Sequence, residues 1–92
     1  MSGINGFPTK KELMEATLVV LSQLGGKATT KEINDKVAEF LQIPGTLLEM
    51  EDENSTGTAY SYKMRWVRTE LKNLKKISNP KRGEWILSIK LD

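Results

Sequence analysis

The chain has no cysteine and no histidine among its 92 residues. Without cysteine there is no disulfide framework and no thiolate metal site. Without histidine it lacks the commonest general base and the commonest neutral metal ligand. Only three prolines occur, Pro8, Pro44 and Pro80, and each falls where a helical or strand pattern begins or breaks. No long apolar run exists: the longest, "ATLVVL", contains Thr17 and is too short for a membrane span or a signal-peptide core. These absences predict an intracellular, cytoplasmic protein. The length suits one small domain with a modest core. At 38% apolar and 28% charged, the composition is that of a globular chain rather than a disordered one.

What is present is charge, unevenly placed. The formal net charge is +2. Residues 60–92 carry nine basic and three acidic side chains, whereas residues 1–59 carry five basic and nine acidic ones. The stretch "YSYKMRWVRTELKNLKK", from Tyr60 to Lys76, alone holds six Lys or Arg, two Tyr and one Trp beside a single acid, Glu70. A chain divided this way suggests an end that faces a polyanion. For any single lysine the alternative is plain solvation of an outer face.

Residues 1–7 are expected to be a disordered terminus. Pro8 and "TKKE" then open a helix, with Thr9 and Glu12 spaced as a capping box. Leu13, Ala16, Val20, Leu21 and Leu24 follow at helical spacing, and Gly25-Gly26 stops the helix. Ala28 sits in a short extended link. Thr29 and Glu32 form a second capping box before a stripe of Ile33, Val37, Phe40 and Leu41. Pro44 prevents that helix from continuing. Residues 44–58 read as a loop with four acids, Glu49, Glu51, Asp52 and Glu53, in which Leu47, Leu48 and Met50 can dock on the core.

The third helix is the basic stretch. Tyr60, Met64, Val67, Leu71 and Leu74 make its core stripe. At 100° per residue, Tyr62, Arg65, Trp66, Thr69, Lys72, Asn73 and Lys76 lie opposite. Arg68 and Lys75 flank the stripe, where their stems can cover apolar surface. A hairpin closes the chain. Residues 77–79 form a strand and Pro80–Gly83 the turn, with Gly83 available for a positive φ. In "EWILSIKL", Trp85, Leu87, Ile89 and Leu91 share one face.

Helix, short link, helix, loop, helix and hairpin is the element order of a winged helix-turn-helix domain. The expected fold class is therefore α+β, mostly α, over residues 8–92: three helices, a C-terminal β-hairpin wing and a minor strand at Ala28. In this arrangement the third helix enters the major groove of DNA and the hairpin turn reaches neighbouring phosphates. Duplex DNA is a dense line of phosphates, and each one neutralised releases condensed counterions. Arg65, in the first half of the helix, is the candidate for a base contact, because a guanidinium matches guanine in the major groove. Lys63, Lys72 and Lys76 suit phosphates, and Lys81 and Arg82 suit wing contacts. Tyr62 and Thr69 lie on the same side. Trp66 can touch DNA, or pack under the hairpin or against the acidic loop, burial being the commoner fate of a large aromatic. Gly83 reads first as a turn requirement, which is compatible with a close approach to phosphate.

The run "KMRWVRTELKNLKKISNPKRGEWILS" resembles the N-terminal domain of Mrr-type restriction endonucleases, the methylation-dependent restriction family. The resemblance is carried by Arg65, Trp66, Leu71, Pro80, Lys81, Arg82, Gly83 and Trp85. "PTKKELMEATLVVLSQLGG" and "TTKEINDKVAEFL" are similar to the family's first two helices. The resemblance implies a DNA-targeting module. It also implies that cleavage belongs to a separate C-terminal nuclease domain of a longer protein, which uses magnesium. One departure stands out: where the family usually closes the third helix with Gly, this chain has Lys75-Lys76, so that helix is expected to run longer. No acid-x-acid-x-Lys strand follows the hairpin, and "EMEDE" lacks an ordered ligand pattern. Neither catalysis, a metal nor a cofactor is expected of this chain. The alternative is a protein-interaction or dimerisation module without DNA binding, since the fold supports both.

Overall fold

The structure is a computed structural model that describes residues 7–51 and 57–88. In order come α1 (Lys10–Gln23), β1 (Lys27–Thr29), α2 (Thr30–Phe40), α3 (Gly45–Leu48), α4 (Ala59–Asn73), β2 (Ile77–Lys81) and β3 (Glu84–Leu87). The chain is thus α+β and mostly helical. The described residues hold four helices where three were expected, because the segment after Pro44 makes one helical turn instead of an open loop. Behind that turn, the Ala59 N–H donates to the Met50 carbonyl at 2.8 Å, and Glu51 bridges Thr58. Leu47 and Leu48 dock on the core as expected. Met50 is 40% exposed and does not.

Helix starts follow the local code. Thr9 accepts from the Glu12 N–H at 3.1 Å while Glu12 takes the Thr9 N–H at 2.8 Å. Thr29 and Glu32 repeat the exchange at 3.1 and 2.9 Å. Thr58 caps α4 by accepting from the Ser61 N–H at 3.1 Å. Two orphan amides of each first turn are satisfied in this way wherever the box is complete.

All three long helices also end alike. A residue of left-handed φ follows the cap: Gly25 at 90°, Gln42 at 55° and Lys75 at 62°. The next amide reaches back to the carbonyl five residues earlier, Gly26 to Leu21 at 2.7 Å, Ile43 to Ala38 at 2.9 Å and Lys76 to Leu71 at 2.9 Å. This is the Schellman closure. It corrects the expected overrun of the basic helix, which ends at Asn73 with Lys75 in the conformation that glycine adopts freely.

The sheet is antiparallel with order β1-β3-β2. Ala28 pairs with Trp85, and Ser78 with Ile86. Lys81 pairs with Glu84, so the turn is narrower than the expected Pro80–Gly83 and consists of Arg82 and Gly83. Between Ser78 and Lys81 the ladder bulges, with Asn79 and Pro80 facing Trp85. Proline fits there because it has no N–H to give the ladder. The Asn79 amide replaces the missing bonds, donating to the carbonyls of Lys81 at 2.8 Å and Glu84 at 2.6 Å. Gly83 takes φ 80°, as expected. Ile89 and Leu91 lie outside the described residues.

The core gathers Leu13, Val20 and Leu21 of α1, Ile33 and Val37 of α2, Met64, Val67 and Leu71 of α4, and Ile77 of β2, all nearly inaccessible. Burying such side chains contributes about 1.5–3 kcal/mol each. Trp85 and Leu87 pack half-buried against it. Two stripe residues depart from expectation. Phe40 is 49% exposed and Leu74 52% exposed. The buried face of α2 runs through Ile33, Val37 and Ala38, which leaves Phe40 at its edge. Leu74 is the cap of α4, one residue past the packed helix. Phe7, expected in a frayed terminus, is buried at 4%.

Candidate nucleic-acid interface

Helix α4 presents its outer side through Tyr62, Arg65, Trp66, Lys72 and Asn73, all exposed, with Thr69 half-buried beside them. The two aromatics are one turn apart. Tyr62 meets Trp66 edge to face, with centroids 6.3 Å apart and planes at 75°. Trp66 is 53% exposed, so it packs on its helix neighbour and leaves much of its surface to solvent. The Thr69 hydroxyl donates to the Arg65 carbonyl at 2.9 Å, keeping its oxygen lone pairs for another donor.

Lys63 stands apart. Its ammonium lies 5.3 Å from the centre of the Phe7 ring, on the flank of α4 turned toward the start of the chain. Lys76 follows the end of α4 and is half-buried; its carbonyl accepts from the Ser88 N–H at 2.9 Å. Lys81, Arg82 and Gly83 form the hairpin tip. Lys81 lies 3.5 Å from Glu84, which also faces Lys27 at 3.7 Å. The Gly83 carbonyl accepts from the Thr30 N–H at 3.0 Å, so the tip is held to the first turn of α2.

The ion pairs sort the cations. Lys10 pairs with Glu70, the only acid of α4, and so neutralises it. Lys31 pairs with Asp35 at 2.6 Å and Lys36 with Glu39 at 3.6 Å, both within α2. Arg65, Lys72, Lys75, Lys76 and Arg82 have no ion-pair, hydrogen-bond or ring partner for their side chains among the described residues. Uncommitted positive charge therefore concentrates on α4 and the hairpin, while most of the cations before residue 60 face an acid.

Beneath this surface lies a set of polar contacts that the sequence did not reveal. The buried Tyr60 hydroxyl donates to the Asn34 carbonyl at 2.6 Å. Burial pushes its phenol well above the ordinary value, more than the nearby Arg68 charge offsets. Arg68, expected at the flank of the stripe, is 7% exposed. Its Nη1 donates to Asn34 Oδ1 at 2.6 Å, and its guanidinium carbon lies 5.5 Å from the Trp85 ring centre. Burial lowers its pKa from the usual arginine value. The Trp85 Nε1–H donates to Thr30 Oγ1 at 2.9 Å. Asn34 and Thr30 carried no signal in the sequence, because their partners are 26 to 55 residues away.

No described helix is long and apolar enough to cross a membrane. The family model of the Mrr N-terminal domain matches residues 11–90. No curated protein matches the chain, and no solved structure does.

Proposed function

We propose, for a chain that belongs to the Mrr N-terminal domain family, a winged-helix module that binds double-stranded DNA. In this reading α4 enters the major groove, with Arg65 on a base edge and Tyr62, Trp66 and Thr69 beside it. Lys63, Lys72 and Lys76 meet phosphates, as do Lys81, Arg82 and the Gly83 backbone at the hairpin tip. The single observation that carries it is the concentration of unpaired cations on α4 and the hairpin. A cation free of internal acids is the one that gains by releasing counterions from DNA. In this reading the module itself performs no catalysis, and any cleavage would belong to a C-terminal nuclease domain of a longer protein.

A titration with a mixed-sequence duplex, methylated and unmethylated, at two salt concentrations tests this. Backbone amide shifts are expected to cluster on residues 62–69 and 81–83, with affinity falling steeply as salt rises. Arg82→Glu should weaken binding to any sequence by about 1–2 kcal/mol and flatten the salt dependence. The exposed Phe40, Met50 and Leu74 side chains favour a second reading, a protein-interaction module. Unaltered amide shifts at low salt, together with an inert Arg82→Glu, would decide for it.

A further inference from the structure

We propose that Arg68 is a positioning residue: its buried guanidinium holds α4, α2 and β3 in one mutual orientation, and so sets where the hairpin tip stands relative to the outer side of α4. Its consequence for DNA rests on the reading above; its geometry does not.

Arg68 engages two elements from a third. It donates to Asn34 of α2 at 2.6 Å and lies against the Trp85 ring of β3 at 5.5 Å. That ring is itself fixed, since its N–H donates to Thr30 at 2.9 Å, at the start of α2. Two turns before Arg68, Tyr60 holds the same Asn34 by its carbonyl at 2.6 Å. Asn34 thus receives two donors from α4, and the triangle of α4, α2 and β3 is closed by directional contacts.

Stability does not account for the charge. Arg68 Nε is buried and has no hydrogen-bond partner among the described residues. No carboxylate there pairs with the guanidinium. An unpaired buried cation is costlier than an apolar side chain of similar length in the same place. What an apolar chain cannot do is bond one element in the plane of a fork and stack on another across its face. The remaining role is orientation.

The test uses Arg68→Met and Asn34→Ala in the whole chain, with three readouts. These are the urea midpoint, residual dipolar couplings of α4 and hairpin amides without DNA, and affinity for a short mixed-sequence duplex at two salt concentrations. Arg68→Met is expected to unfold at the same or higher urea. Its hairpin couplings should no longer fit the alignment frame of α4. Its affinity should fall by roughly ten-fold, the effect of one imperfect contact, with the salt dependence unchanged because no phosphate-contacting cation is lost. Asn34→Ala keeps the charge and removes only the acceptor, and should lose the common frame as well. The proposal is overturned if one frame fits both elements in both variants. It is equally overturned if Arg68→Met fails to fold while Asn34→Ala keeps the native frame. Should the unaltered chain bind no duplex, the DNA reading falls alone, and the couplings still decide the role of Arg68.

Discussion

At the scale of the residue, Lys75 shows how backbone need and side-chain identity can part. Its φ of 62° is a conformation that costs an L-residue about 1 kcal/mol and glycine almost nothing. Lys75→Gly should therefore stabilise the domain by about 0.5–1 kcal/mol in urea unfolding, with no change in helix length. The cation that stands there keeps its charge at that expense. Glu84 is a converse case, a carboxylate within 4 Å of both Lys27 and Lys81 at the hairpin. On the proposed DNA-binding reading, Glu84→Gln should raise duplex affinity a few-fold at low salt, by about 0.5–1 kcal/mol, an effect that fades as salt is added. Arg68 marks the limit of reading from sequence. Its place on the helical wheel is the flank, where a long cation ordinarily snorkels to solvent. Only tertiary contact with Asn34 and Trp85 draws it inside.

Among the elements, α1 and α2 were legible from their capping boxes and breakers, the end of α4 and the strands less so. The capping boxes at Thr9 and Thr29 depend on residues three apart, so the local sequence contains the whole device. The one-turn helix after Pro44 carries no side-chain cap, which is why "GTLL" passes for loop. The hairpin boundaries depend on Asn79, whose amide substitutes for backbone bonds across a bulge. No alternation rule anticipates that. Asn79→Ala removes both donations and should cost about 1–2 kcal/mol of stability. Amide exchange should quicken at residues 78–84 before it does in α4, because the hairpin tip loses its internal brace first.

Over the whole molecule, the charge division seen in the sequence survives folding and is sharpened by it, since ion pairs consume many of the early cations and spare those of α4. The absent histidine has a thermodynamic counterpart. No side chain of that kind titrates near neutrality, so stability should be level between about pH 6 and 9. The Tyr60 phenol binds its proton more tightly folded than unfolded, as its raised pKa requires. Its contribution is then complete below about pH 10 and declines above it, by up to ~1.4 kcal/mol per pH unit. A urea series from pH 6 to 11 checks the sign, and Tyr60→Phe should flatten the alkaline limb.

The strand order has a consequence in time. Among the described residues β1 pairs only with β3, and the first amide of α2 is satisfied by the Gly83 carbonyl. A segment from the first third of the chain thus waits for the last strand. During synthesis, at about 5–20 residues per second, the helices can begin to associate as they emerge. The sheet cannot close until residue 87 has cleared the ribosome. A chain shortened before β3 would lose not only the hairpin but also the strand that precedes α2, and with it the lock on where α2 begins.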